Sequence, residues 1–175
     1  AWKSILERTN RPAGIILTRQ NVPTVARGAG AATATEFASA TNVDRGGYVL
    51  IDCEGTPDVL LMGTGSEVQL AVAAREELAA PGIKARVIAL PCVEWFNEQS
   101  PEYRESVLPA AVKARVSVEA GLKLGWREFV GDAGRSISIE HYGASADANT
   151  LFREFGFTPA AVTAAALESI ATARA

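Results

Sequence analysis

Apolar positions along the chain change their period several times, and each change marks an element. The clearest series is 58–90, DVLLMGTGSEVQLAVAAREELAAPGIKARVIAL. Val59, Leu60, Leu61 and Met62 form a continuous apolar run of buried-strand length. Gly63 and Gly65 follow and allow a tight turn that a Cβ would obstruct. Ser66 with Gln69 three residues on has the pattern of a capping box. Val68, Ala71, Val72, Ala74, Leu78 and Ala79 then recur at helical spacing, with Arg75 inside the stripe, where it must snorkel or find a partner. Pro81 and Gly82 end that helix, and 85–90 returns as a second apolar strand. A strand–helix–strand unit of this kind makes two parallel strands joined by a right-handed crossover. The expected architecture is therefore α/β, a mostly parallel sheet covered by helices.

The flanking pattern extends this picture. Residues 2–8 read as the end of a helix, with Trp2, Ile5 and Leu6 on one side, broken at Arg11-Pro12. Residues 13–18 read as a brief buried-type strand, followed by Arg19, Gln20 and Asn21. Residues 23–44 lack a sustained apolar period and read as an interdomain linker, with a short helix expected over 35–40. Residues 48–52 are a strand. The Glu54-Gly55 turn after it points to an antiparallel pairing with 59–62. A loop or short helix at 91–99 carries Trp95 and Phe96, a hydrophobic plug over a sheet end or part of a subunit contact. Ser100-Pro101 opens a helix that stops near Pro109. Strands follow at 115–119 and 136–140, with a short helix over 126–130 between them. A helix spans 147–155, and Thr158-Pro159 opens a last, alanine-rich one. About five strands interleaved with helices follow the linker, as in an ordinary α/β domain.

Composition narrows the function classes. With 48% hydrophobic residues the chain can bury a core, and its net charge of −3 argues against nucleic acid as a partner. No apolar run reaches the roughly 20 residues that cross a bilayer, and no signal peptide is visible. Cys53 and Cys92 suggest no disulfide framework, so a cytoplasmic location with reduced thiols is expected. The chain lacks an initiating Met and opens in mid-pattern, as a fragment would.

Few residues carry candidate chemistry. Gly63, Thr64, Gly65 and Ser66 sit where a strand meets a helix N-terminus, and free backbone N–H groups there could hold an anion. The dinucleotide fingerprint fails at Val68, the P-loop Gly-Lys-Ser/Thr is missing, and a purely structural turn explains the motif better. Arg19 closes a strand at the edge where α/β ligands gather, and its planar fork suits phosphate or carboxylate, although an ordinary surface arginine would look the same. His141, the only histidine, follows Glu140 on the opposite strand face and has no recognisable ligand spacing around it. Ser145 begins like a nucleophile elbow but has Asp147 where the last glycine belongs, so it reads as a helix cap. Cys53 and Cys92 read as inert packing thiols.

Seven ordered pieces nonetheless form a series: IILTRQNVP (15–23), RGGYVL (45–50), MGTGSEVQLAVAA (62–74), GIKARV (82–87), YRESVLP (103–109), ARVSVEAG (114–121) and FREFGFT (152–158). Together they resemble the C-terminal part of a transketolase. The resemblance implies a three-layer α/β/α sandwich whose five-stranded, mostly parallel sheet has one antiparallel strand. It divides the chain into the last helix and strand of a pyrimidine-binding domain (1–22), a linker (23–44) and a complete C-terminal domain (45–175).

The parent enzyme implied is a homodimer of the pentose phosphate pathway. It moves a two-carbon ketol unit between ketose and aldose phosphates, using thiamine diphosphate and a divalent cation, Mg or Ca. Its cofactor and metal residues belong to segments outside these 175 residues, so this chain alone is expected to be inactive, to bind neither, and to serve subunit packing and regulation. The partners implied are the remaining domains, a second subunit and sugar phosphates. One residue carries over. The family has Ser-Arg-Gln at the end of this strand and its Arg binds substrate phosphate; here the triplet is Thr18-Arg19-Gln20. Sister thiamine-diphosphate enzymes, such as deoxyxylulose phosphate synthase, dihydroxyacetone synthase or a 2-oxo acid dehydrogenase β-subunit, and an anion-responsive module at Gly63 to Ser66 are the alternative readings.

Overall fold

The computed structural model describes all 175 residues. Helix α1 spans Trp2–Glu7, and strand β1 spans Tyr48–Ile51. The central unit is β2 (Val59–Gly63), α2 (Val68–Ala79) and β3 (Ala85–Ala89). Helices α3 (Val93–Asn97) and α4 (Pro101–Val107) lead to β4 (Arg115–Val118). Helix α5 (Arg127–Val130), β5 (Arg135–Ile137), α6 (Ala148–Glu154) and α7 (Pro159–Arg174) complete the order.

The five strands form one sheet in the order β1-β3-β2-β4-β5. β2 pairs in parallel with both β3 and β4, β4 pairs in parallel with β5, and β1 runs antiparallel to β3. The expected fold class therefore holds, but the expected hairpin does not. β1 points opposite to β2 without touching it, because crossovers bring β3 and β4 to the two edges of β2 and leave β1 the outer edge of β3.

The sheet has a core on each face, which is why β2 reads as an unbroken apolar run. Val59 and Leu61 face the larger core with Ala71, Ala74, Leu78, Val162 and Ala166 from α2 and α7. Leu60 and Met62 face the other, with Phe96, Val107, Trp126 and Phe129. Side chains alternate across a strand, so a strand covered on both faces needs apolar residues at every position. Trp95 and Phe96 are buried as expected of a plug.

Capping follows the sequence at two helices and departs from it at two. Ser100 Oγ accepts from the Tyr103 N–H at 3.3 Å, and Thr158 Oγ1 accepts from the Ala161 N–H at 3.1 Å, each with Pro in the first turn. At α6 the cap is Asp147, not Ser145: its carboxylate accepts from the Thr150 N–H at 3.0 Å. At α2 no capping box forms. Gln69 Nε2 donates to the Ser66 carbonyl at 2.9 Å, while the Ser66 hydroxyl is engaged elsewhere.

Two further expectations change. Residues 13–18 form no ladder, Ile16 is fully exposed and Leu17 is 68% exposed. A strand lives by its neighbours, and this chain contains none for that segment. The helix expected over 35–40 is displaced to a 3-10 turn at Ala40–Arg45, since Ala38 is buried and its N–H donates to the Leu50 carbonyl at 2.9 Å. Gly46 then brings the backbone hard against α3. Its φ is +77°, and a Cβ there would lie 2.4 Å from the Cys92 carbonyl oxygen.

Arginines fasten the loops. Arg75, the cation inside the α2 stripe, donates to the carbonyls of Ala34 and Asp52, both at 2.7 Å. Arg86 forks onto the Asp52 carboxylate at 2.8 and 3.0 Å. Arg115 donates to the carbonyls of Val112, Phe129 and Pro109 at 2.8–2.9 Å.

Candidate functional site

The chemistry-bearing residues gather where β2 ends. Gly63 is the last residue of β2, and Gly65 takes φ +58° to turn the chain into the short 3-10 segment that precedes α2. Ser66 and Glu67 are buried there. Gln20 Nε2 donates to Ser66 Oγ at 2.9 Å, which pins residues 18–20 over the C-terminal edge of the parallel strands. In open α/β sheets that edge is where ligands bind. Arg19 lies in this pinned segment with its side chain exposed and free of any partner within the chain.

Glu67, at the start of α2, turns its carboxylate to the Ser66 hydroxyl and the loop after β4. Its Oε1 accepts from the Ser66 hydroxyl, and its Oε2 accepts from the Ala120 N–H at 3.3 Å. Of the residues Gly63, Thr64, Gly65 and Ser66, Ser66 has its hydroxyl engaged by an amide and a carboxylate of the chain itself. Sequence reasoning gave Glu67 and Gln20 no role. The available signals were an acid directly after the Gly-Thr-Gly-Ser turn and a polar residue directly after Arg19.

The other candidates stand apart. Glu140 Oε1 accepts from the Lys123 N–H at 2.9 Å, while His141 Nδ1 lies 2.7 Å from the Tyr142 carbonyl oxygen and its ring meets Phe155 edge-on at 5.0 Å. The two side chains do not work as a pair. Cys53 and Cys92 are free and half-buried, and burial pushes both thiols above their ordinary range, which suppresses the reactive thiolate. No three His, Cys, Asp or Glu side chains converge as metal ligands. No helix is long and apolar enough to cross a membrane.

Arginines also tether the arm that carries Arg19. Arg8 stacks over the Trp95 ring at 4.0 Å and donates to the Asp44 carbonyl, and Arg11 forks onto the Glu98 carboxylate. The hydrogen bond and charge of Arg11 hold Glu98 below the usual glutamate range. A carboxylate with a depressed folded-state pKa stabilises the docked arm above its unfolded value, and that stabilisation is lost as pH falls through the folded one. Acidification from about pH 4.3 downward is therefore expected to weaken the docking of the arm and change the tryptophan fluorescence. In Glu98→Gln the same change should be missing. A single transition shared by both proteins would contradict this.

Residues 46–158 match the transketolase-like TK C-terminal domain family. The Mycobacterium leprae transketolase is 54% identical over 95% of this chain, and Escherichia coli transketolase 1 is 48% identical over 96% of it. The chain spans about a quarter of the length of these relatives, 23% and 24% respectively. The solved transketolase of Pichia stipitis in complex with sedoheptulose-7-phosphate superposes with a TM-score of 0.70 at 37% identity. That match covers 77% of this chain and 19% of that one. The matched residues, nearly two thirds of the chain, and the superposition point the same way, and the chain belongs to the transketolase-like C-terminal domain family.

Proposed function

We propose that these 175 residues are the C-terminal portion of a transketolase, an enzyme that carries a two-carbon ketol unit from a ketose phosphate to an aldose phosphate. The observation that carries this is the extent of the similarity: nearly all of this chain, against proteins about four times longer. Within it, residues 1–22 end the pyrimidine-binding domain, 23–44 link, and 45–175 form the C-terminal domain, a division supported by the family match beginning at 46. The enzyme works as a cytoplasmic homodimer, and the C-terminal domain serves subunit packing and regulation.

Thiamine diphosphate and a divalent cation supply the electron sink for the ketol unit in such an enzyme. No three His, Cys, Asp or Glu side chains among the residues of this chain converge as ligands for that cation. No step of the reaction is assigned to them, and the isolated chain is inactive. What the chain contributes is grip. Arg19 holds the phosphate of the sugar, a part of the substrate that does not react, and binding energy gathered there orients the reacting carbons elsewhere. The Pichia stipitis relative, solved with a phosphorylated ketose, supports the substrate class.

Exchange of segments tests the proposal. Residues 1–175 are to replace their counterpart in the Escherichia coli relative. The chimera is expected to transfer ketol units between sugar phosphates, and the isolated chain to transfer none. A folded, dimeric chimera without transfer, or transfer by the chain alone, would overturn the reading.

A further inference from the structure

Both sequence neighbours of Arg19 belong to one hydrogen-bonded relay. The Thr18 hydroxyl donates to Gln20 Oε1, Gln20 Nε2 donates to Ser66 Oγ at 2.9 Å, and the Ser66 hydroxyl donates to Glu67 Oε1. The Ala120 N–H closes the relay on Glu67 Oε2 at 3.3 Å. Residues from three separate parts of the chain thus meet at one point: the segment around Arg19, the turn after β2, and the loop after β4.

Two features set the relay apart from ordinary packing. Glu67 is 6% exposed and has no cationic partner within the chain, and an acid is costly to bury without one. The helix start does not require it, because it makes no side-chain cap on α2. The Gln20 amide, in turn, is used on both sides at once, its oxygen accepting from Thr18 and its nitrogen donating to Ser66. Arg19 itself lies outside the relay, exposed between the two residues that the relay ties together.

We infer that Gln20, Ser66 and Glu67 are positioning residues for Arg19: they lock residues 18–20 against the C-terminal domain so that the guanidinium meets the sugar phosphate already placed. The inference rests on the reading of Arg19 as the phosphate-binding residue. It gives the C-terminal domain a direct share in substrate selection. Arginine's long side chain loses much freedom when it binds, and fixing the backbone beneath it removes part of that loss beforehand. Site geometry is held by residues whose own conformations are fixed by a supporting set of hydrogen bonds.

The test uses the full-length enzyme carrying these residues, with a ketose phosphate and the same ketose without phosphate as donors. Gln20→Met keeps the shape of a half-buried side chain and removes both hydrogen bonds, and Ser66→Ala removes the central hydroxyl. Each is expected to lower the preference for the phosphorylated donor, as a ratio of kcat/KM values, by about 2- to 10-fold, the effect of one ordinary hydrogen bond. The loss should be mainly in KM. In an Arg19→Ala background, adding either change should alter the ratio no further, because residues that act through Arg19 cannot act without it. Equal losses on both donors, losses that multiply with Arg19→Ala, or a lowered Tm with an unchanged ratio would overturn the inference. The outcomes separate from those of the underlying reading. If Arg19→Ala leaves the preference intact, the reading of Arg19 falls. If Arg19→Ala abolishes it while Gln20→Met and Ser66→Ala do not disturb it, only the relay falls.

Discussion

Truncation of Leu61 to alanine is expected to destabilise the domain by about 3–5 kcal/mol, the upper part of the range for a buried leucine. Leu61 is fully buried in the central strand, in register with Val87 on one side and Val116 on the other. Its neighbours are strand backbones and helix faces that cannot collapse inward, so a cavity would persist. Domains are stable by only about 5–15 kcal/mol, and the variant would stand near the edge of folding. Urea unfolding checks this through a fall in midpoint at constant m. Leu167→Ala on α7 is the control. That side chain is 46% exposed, and its loss should stay within about 0.5 kcal/mol. Comparable losses at the two sites would mean that β2 is not the centre of the fold.

Arg19→Ala in the full-length enzyme is expected to reduce kcat/KM for phosphorylated donors by about 10- to 100-fold, as loss of a charge-assisted hydrogen bond does. Donors lacking the phosphate should change far less. Arg19→Lys should recover only part of the loss, since an ammonium cannot present a planar fork to two phosphate oxygens. Steady-state kinetics with paired donors decides the matter. Equal efficiency of the alanine variant on phosphorylated sugars would remove Arg19 from the phosphate site.

The central strand–helix–strand unit was legible because its signals are local. An apolar run, a glycine turn and helical spacing each act within a few residues, and the caps at Ser100 and Thr158 follow from a hydroxyl followed by proline. Strand order was not legible in this way. The Glu54-Gly55 turn suits a hairpin, but the edges of β2 are taken by strands that arrive later in the sequence. Residues 13–18 have the composition of a strand, and composition says nothing about whether partners are present. At the candidate site, Arg19 was visible through its place in an ordered series of motifs. The relay was invisible because Gln20 meets Ser66 across 46 residues and Glu67 meets Ala120 across 53. Arginine counts hide a similar distinction. Arg75, Arg86 and Arg115 are tied to carbonyls and a carboxylate, whereas Arg19 is free to meet a ligand.

Helix α7 follows every strand in sequence, yet it packs on the sheet interior. Ser169, fully buried on it, accepts from the Arg115 N–H at 2.9 Å at the head of β4 and donates to the Ala133 carbonyl at 2.8 Å just before β5. During synthesis the strands therefore emerge from the ribosome well before the helix that covers them. Until α7 arrives, a nascent chain holds β4 with much of one apolar face uncovered and the Arg115 N–H bonded to water instead of Ser169, and apolar surface exposed in this way favours aggregation.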